Sequence, residues 1–488
     1  MRSMKRLNLS IIFIILILGF ALRLYKFDAP LADWHSWRQA DTSAVSRNFV
    51  NNGFDFLHPK FDDLSNVPTN GVYDNPQGYR FVEFPIYNTI HGVLFKAFGI
   101  LTLEQWGRMV SIIASLSSAL LIYLIVKKHS TNRAGLIAAF FFSVLPYSVY
   151  YGRVILPDPM TNFAILSGIF FFDKFLTEQR GKKWTYFTVS ILFTAASLLL
   201  KPFAVFFMLP TVYLAYNAYK FGLFKKWFLW VYLILGIIPL FLWRIWMTQF
   251  PEGIPSSDWL FNGGNIRFKG AYFYWIFAER FSKLILGYFG VALFMMGLFS
   301  KVKKENLLFF LSFIASSLIY LVVIARGNVQ HDYYQILILP TIAIFLGIGS
   351  DYLLSINTYN LIKYPVFIMC TFFTLFFSWY HIRDYFNINN FSIVEAGKII
   401  DEITPKDSKI IADYNGDTTF LYQTKRKGWA SQEKQLFEMV KMGANYFALA
   451  NPKPSDFYFE KDYKIEYSSG ILLLYNLNRA PDGSIKIP

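Results

Sequence analysis

Charge is scarce in this chain, and cysteine is nearly absent. Only 16% of its 488 residues are Asp, Glu, Lys or Arg, against roughly 25% in soluble domains. Hydrophobic residues make up 55% and aromatic residues 20%, in long runs that recur along the chain. A soluble fold has nowhere to bury that much apolar surface, so the chain reads as a polytopic membrane protein. The single cysteine, Cys370, lies inside an apolar run. It excludes an internal disulfide and says nothing of the redox compartment. No phosphate-cradling glycine loop, no HExxH and no nucleophile elbow is present, which leaves ATP-driven transport without support. No repeat of about 20–50 residues and no low-complexity segment occurs.

The chain does have a formal net charge of +15. Its basic residues sit in short loops between apolar runs, so anionic lipid head groups and membrane orientation explain them, and nucleic acid does not. The first apolar run has a basic start but no small-residue cleavage site, since Ala21-Leu22-Arg23-Leu24-Tyr25 continues directly. It reads as an uncleaved span. Hydropathy predicts about eleven spans of roughly 17–22 residues. They fall near 8–26, 105–126, 134–150, 159–176, 184–200, 202–219, 227–247, 282–300, 307–325, 336–354 and 365–382. The pair around Lys201-Pro202 is either two short helices with a tight turn or one broken helix.

With the N-terminus inside, the inside loops carry Arg2, Lys5 and Arg6; Lys127, Lys128 and Arg133; Arg180, Lys182 and Lys183; Lys220, Lys225 and Lys226; and Lys301, Lys303 and Lys304. This is a consistent positive-inside pattern. The acidic and histidine-bearing loops then fall outside. Within the first outer loop, 27–104, the stretch Pro85–Phe98 is apolar but interrupted by Asn88, His91 and Lys96, so it predicts a helix lying along the interface. The expected organisation is a transmembrane domain over 1–382 and an extracytoplasmic α/β domain over 383–488. The tail predicts helices over Phe391–Ile403 and Glu433–Gly443. It predicts strands over Ser408–Asp413 and Asn445–Ala450, and a hairpin or longer strand pair over Ile465–Leu477.

The residues that can do chemistry gather at the outer ends of spans. Asp33-Trp34-His35-Ser36-Trp37-Arg38-Gln39-Ala40-Asp41-Thr42 is polar, charged and aromatic in an otherwise apolar chain. Asp41 sits between Arg38 and Arg47, which keep a carboxylate ionised and able to take a proton from a hydroxyl nucleophile. The alternative is a cap on a helix over Thr42–Val50. Asp33 competes for the same role. Glu83, before the interfacial helix, reads as a ligand for a divalent cation, a substrate-orienting group, or a solvated loop acid. His331 and Asp332 head a span on the same side and can join Glu83, although no short-range His/Glu spacing marks a metal site. Arg153, close to Asp158, can clamp a phosphate; Asp158 alternatively starts a helix. Lys201 either neutralises a phosphate or snorkels to the interface. Most of the Tyr and Trp residues read as interfacial belt.

Together these residues resemble a family. Trp37-Arg38-Gln39-Ala40-Asp41-Thr42 with Ser46-Arg47-Asn48-Phe49, Glu83-Phe84-Pro85-Ile86-Tyr87 with Gly107-Arg108, Tyr151-Gly152-Arg153 with Pro157-Asp158-Pro159, Leu200-Lys201-Pro202, and His331-Asp332-Tyr333-Tyr334 with Pro340 occur in an order and at span ends similar to those of bacterial relatives of the protein O-mannosyltransferases and the aminoarabinose transferase of lipid A. These are membrane glycosyltransferases of the GT-C fold class. The resemblance covers roughly residues 1–355 and rests on order and topology rather than on one motif. It implies inverting transfer of a sugar from a polyprenyl-phosphate carrier to a lipid, glycan or protein acceptor, in a bacterial inner membrane. A first-loop carboxylate would be the base, by position Asp41. Arg38, Arg47, Arg153, Asp158, Lys201, Tyr333 and Tyr334 would bind substrate and phosphate. A divalent metal on Glu83 and His331, or arginine and lysine alone, would stabilise the departing phosphate.

Two departures stand out. Arg38-Gln39-Ala40-Asp41 replaces the family's Asp-Glu pair, leaving Asp41 or Asp33 as base. Phe84 stands where aminoarabinose transferase-like members carry a lysine. Competing readings are a lipid-linked glycan transporter and an inactive glycan-assembly partner. A transporter should show pseudo-symmetry and mid-span charges, whereas here the acids gather at loop ends.

Overall fold

A computed structural model describes residues 2–66, 74–179, 181–300, 304–357 and 360–486. Arg180, Lys301 and Lys303 of the basic loops lie outside the described residues. The chain is mainly helical, with a small C-terminal sheet of five strands. Its contacts divide it into two compact units, one of Met1–Phe27, Arg108–Ile245 and Ser257–Tyr385, the other of Asp28–Gly107, Trp246–Ser256 and Phe386–Pro488.

The first unit is helical. Helix covers most of every stretch expected to span, but among the described residues six helices are long and apolar enough to cross a membrane, or seven if a pair bent by 113° counts as one. The difference has local causes. Asn132–Val144 is short and is followed by Leu145-Pro146. Pro146 lacks the N–H that would continue the ladder and starts a new helix, Pro146–Tyr151. The bent pair comprises Gly270–Ile285 and Gly290–Leu298. Between its two helices, Gly287 has φ +48, and an added Cβ there would lie 2.3 Å from the Thr374 carbonyl oxygen.

The doubt about Lys201-Pro202 resolves into a break. Helix Lys183–Leu200 ends, Lys201 is extended, and a 3-10 segment Pro202–Met208 leads into helix Leu209–Tyr219. The same construction recurs 130 residues later. His331 is extended, a 3-10 segment Asp332–Ile338 follows, and helix Leu339–Ser355 begins with Leu-Pro-Thr, as does Leu209–Tyr219. At both breaks, a polar side chain is carried on backbone that has left the helix.

The second unit joins the first-loop segment to the tail. Its sheet has the order β2-β1-β3-β5-β4, with β1 Lys409–Asp413, β2 Lys427–Trp429, β3 Tyr446–Ala450, β4 Lys464–Ser468 and β5 Leu472–Asn476. Strands β1, β2 and β3 pair in parallel; β5 runs antiparallel to β3 and β4. Successive side chains of a strand point to opposite faces. Accordingly Ile410 and Ala412 enter one core, with Phe420, Leu474 and Ala32, while Ile411 enters the other, with Trp429, Phe447, Tyr475 and Leu64.

Ala32 and Leu64 belong to the first loop, so that loop supplies apolar side chains to both faces of the sheet. It also covers the sheet's edge: Gly428 N–H donates to the Asp62 carbonyl (3.0 Å) and Leu64 N–H to the Gly428 carbonyl (2.6 Å). A Cβ at Gly428 would sit 1.8 Å from the Ile410 carbonyl oxygen, so only glycine fits between these neighbours. The expected helix Phe391–Ile403 is present with those bounds, and the stretch expected to lie along the interface forms helix Ile86–Phe98.

Candidate active site

The polar cluster of the first loop lies on one helix, Ser36–Asn52. It begins earlier than the expected Thr42–Val50, after His35 in the left-handed region (φ 53). Asp41 therefore sits inside the helix, which removes its reading as a cap. Its side chain is buried, at 3% exposure. Arg80 Nη2 donates to Asp41 Oδ2 at 2.7 Å, and the Thr418 hydroxyl donates to Oδ1 at 2.7 Å. Arg80 also lies over the Phe61 ring (4.9 Å). A cavity of about 10 Å³ adjoins Asp41 and Thr418, room for about one water.

The other first-loop residues form separate pairs. Asp33, also buried, accepts from the Gln39 amide at 2.8 Å. Arg38 Nη2 donates to both Glu83 oxygens, at 2.6 and 2.7 Å. Glu83 is thus a paired acid and not a solvated one. Arg47 pairs with Asp62, donates to the Tyr422 carbonyl and stacks on the Tyr422 ring at 4.1 Å. Sequence reasoning expected Arg38 and Arg47 to flank Asp41. It missed Arg80, the cation that reaches it, because Arg80 lies 39 positions away in an irregular stretch. It also missed Thr418, which lies in the tail.

Carboxylates surround Asp41. Burial pushes the Asp63 carboxyl up to about 6, against its Ser65 hydrogen bonds, and the charges of Asp41 and Glu433 add to the rise. Burial raises Asp417 likewise, with Asp41 contributing. A folded-state pKa above the unfolded value means that the folded protein binds the proton more tightly. Stability from Asp63 is therefore fully present below about pH 4 and is lost as pH rises through about 6, a change of about 3 kcal/mol. Asp63→Asn is expected to raise the melting temperature at pH 8 and change it little at pH 4. Thermal unfolding of the purified protein at both pH values checks this; an equal shift at both contradicts it.

The helical unit brings together the residues of its two breaks. Lys201 pairs with Asp158, the first residue of helix Asp158–Thr177; the side chains are 7% and 1% exposed. Lys201 Nζ also lies over the rings of Tyr333 (5.6 Å) and Tyr334 (5.2 Å). His331 contacts the same two rings at 5.5 and 6.0 Å. Lys201 does not snorkel; it is a buried cation in a buried pair. Asp332, beside them, accepts from the Tyr151 hydroxyl (2.6 Å) and the Tyr385 hydroxyl (2.5 Å). Arg153 donates to the Lys26 carbonyl at 2.8 Å. That carbonyl lies just past the C-terminal end of the first helix, where an arginine satisfies chain left without helical partners.

Glu83 and His331 fall in different units. Among the described residues no group of three or more His, Cys, Asp or Glu side chains is placed to hold a metal ion, and Glu83 is already neutralised by Arg38. Held by both oxygens on Arg38, Glu83 does not present an open carboxylate to a divalent cation.

Known proteins place this geometry in context. Residues 86–246 match the family described as dolichyl-phosphate-mannose-protein mannosyltransferase. ArnT from Cupriavidus metallidurans, solved bound to undecaprenyl phosphate, superposes with a TM-score of 0.65 at 10% identity, over 97% of this chain and 98% of that one. The chain has a GT-C glycosyltransferase fold. AglB, the archaeal oligosaccharyltransferase from Archaeoglobus fulgidus, in complex with an inhibitory peptide and a dolichol-phosphate, matches this GT-C chain with a TM-score of 0.57 at 11% identity, over 97% of it and 74% of AglB. The arabinofuranosyltransferase AftD from Mycobacteria matches with a TM-score of 0.53 at 12% identity, over 97% of this chain and 41% of that one. No curated protein sequence matches.

Proposed function

We propose that this GT-C protein transfers a sugar from a polyprenyl-phosphate donor to an acceptor hydroxyl, with inversion and with Asp41 as base. The observation that carries this reading is the pairing at Asp41. Arg80 holds one carboxylate oxygen, and the other already accepts a hydroxyl hydrogen bond, from Thr418. An acceptor hydroxyl in place of the Thr418 hydroxyl would meet a charged, desolvated base at hydrogen-bonding distance. Its oxygen bonds to the anomeric carbon as the bond from that carbon to the phosphate oxygen breaks. The electron pair leaves with the polyprenyl phosphate, and the hydroxyl proton passes to Asp41. Phosphate is a good leaving group, so no general acid is required.

Lys201 is the cation offered to the donor phosphate. Asp158 holds it in the resting state, and Tyr333 and Tyr334 shape its surroundings. The donor's phosphodiester carries one negative charge, as Asp158 does, and competes for the same ammonium; the departing polyprenyl phosphate gains charge as its bond to the sugar breaks, which strengthens the pairing. The test is transfer by the reconstituted protein from a panel of polyprenyl-phosphate sugars, scored beside donor hydrolysis.

The reading places the N-terminus in the cytoplasm of a bacterial inner membrane and both the first loop and the sheet outside, following the basic loops. Cys370 is the one native cysteine and is buried, so a Cys370→Ala background suits labelling. A membrane-impermeant maleimide is expected to label Ser455→Cys in intact spheroplasts and Lys225→Cys only after lysis. The opposite pattern contradicts the orientation.

A further inference from the structure

A second polar cavity, of about 280 Å³, lies in the sheet-bearing unit, lined by residues of helix Ser36–Asn52 and of strands β1 and β2; Asp41 does not line it. Six basic side chains line it, Arg47, Lys406, Lys409, Lys425, Arg426 and Lys427, against two acidic ones, Asp62 and Asp407. Part of that charge is internally balanced. Arg47 pairs with Asp62, and Lys406, Lys425 and Arg426 converge on Asp401. Burial pushes the Asp401 carboxyl up, but the three cationic hydrogen bonds outweigh it and hold the group below the usual carboxylate range.

Lys409 and Lys427 are different. They are direct partners in the parallel ladder of β1 and β2. Among the described residues neither has a carboxylate within ion-pair distance. Like charges facing each other across a ladder are destabilising, and both side chains are partly buried. Burial pulls the Lys427 ammonium below its usual value; Asp62 opposes this, and the charges of Lys60 and Lys409 add to it. Lysines often guard an open sheet edge, but that explanation fails here. The outer edge of β2 is already paired with Asp62–Leu64. The arrangement makes physical sense if an anion completes it.

We propose that this cavity binds an acidic saccharide, one bearing a carboxylate or a phosphate, with its anion between Lys409 and Lys427. The volume suits about one sugar unit, below the usual range for drug-sized ligands. Asn51 and Asn52, which also line the cavity, offer amide donors and acceptors to sugar hydroxyls. The acidic saccharide would be part of the acceptor, an assignment that rests on the transferase reading; the binding itself does not.

The test is binding to the full-length protein in detergent, by calorimetry, with glucuronate, glucose 1-phosphate and neutral glucose as probes. At least one acidic probe is expected to bind ten-fold or more tightly than glucose, and the arm that binds identifies the anion. Lys409→Gln with Lys427→Gln is expected to weaken that binding at least ten-fold. Lys409→Arg with Lys427→Arg is expected to keep it, which separates loss of charge from loss of fold. No binding of either acidic probe, glucose binding as well as they do, or an unchanged Kd in the double glutamine variant overturns the proposal. Because the readout is binding, its failure is distinct from failure of sugar transfer.

Discussion

Asp41→Asn is expected to lower sugar transfer by about 10²–10⁴-fold, the span over which a positioned general base contributes, while donor binding persists. The change is nearly isosteric, and the asparagine carbonyl can still accept from one of its two neighbours. It does remove the charge opposite Arg80, whose side chain is 14% exposed, so some stability is lost with it. Asp41→Asn with Arg80→Gln removes both charges; it is expected to regain the stability and not the transfer. Thr418→Ala removes only the hydroxyl that occupies Asp41 Oδ1, and transfer is expected to stay within a few-fold of wild type or to rise. Asp33→Asn separates the two first-loop acids. Asp33 accepts from the Gln39 amide, and with Asp41 left intact its replacement is expected to cost transfer far less than that of Asp41. A larger loss in Asp33→Asn than in Asp41→Asn would assign the base to Asp33.

The second large effect concerns Lys201. Removing one partner of a buried ion pair leaves an uncompensated charge and costs about 3–5 kcal/mol. Lys201→Met is therefore expected to destabilise the helical unit severely by stranding Asp158, and Asp158→Asn to do the same by stranding Lys201. The double variant Lys201→Met with Asp158→Asn replaces two charges by groups of similar size. It is expected to recover most of the melting temperature, because such replacements are often neutral. It is also expected to lose affinity for polyprenyl phosphate by at least ten-fold. A double variant that folds and binds polyprenyl phosphate like wild type would show Lys201 and Asp158 to be a structural pair and nothing more.

The helical class, the apolar stretches and most of the tail's elements were legible because they depend on local patterning. Runs of apolar residues, the 3.6-residue spacing of Phe391–Ile403 and the flanking turn residues act within a short window. Strand β2 was not legible. Lys427-Gly428-Trp429 has no alternation to detect and becomes a strand only because β1 and residues 62–64 bracket it. The break at Lys201 was already one of the expectations. What hydropathy did not show is the 3-10 segment that follows Lys201 and the one that follows His331.

The candidate site was legible as a set of residues and not as a set of pairs. Asp41, Asp158, Lys201 and the two tyrosines stood out by chemistry. The partners of Asp41 came from 39 and 377 positions away, a distance at which one sequence carries no pairing signal. The proximity of Arg38 and Arg47 along the chain was misleading, since on the helix each turns to its own carboxylate, Glu83 and Asp62.

The most direct measurement is sugar transfer by purified protein in lipid vesicles, from a broad panel of polyprenyl-phosphate donors, for wild type and Asp41→Asn. The account predicts transfer by wild type with at least one donor, and its loss in Asp41→Asn with donor binding retained. Full transfer by an Asp41→Asn, Asp33→Asn double variant would contradict the base assignment. Movement of donor across the bilayer with no transfer from any donor would contradict the enzyme itself and favour a transporter.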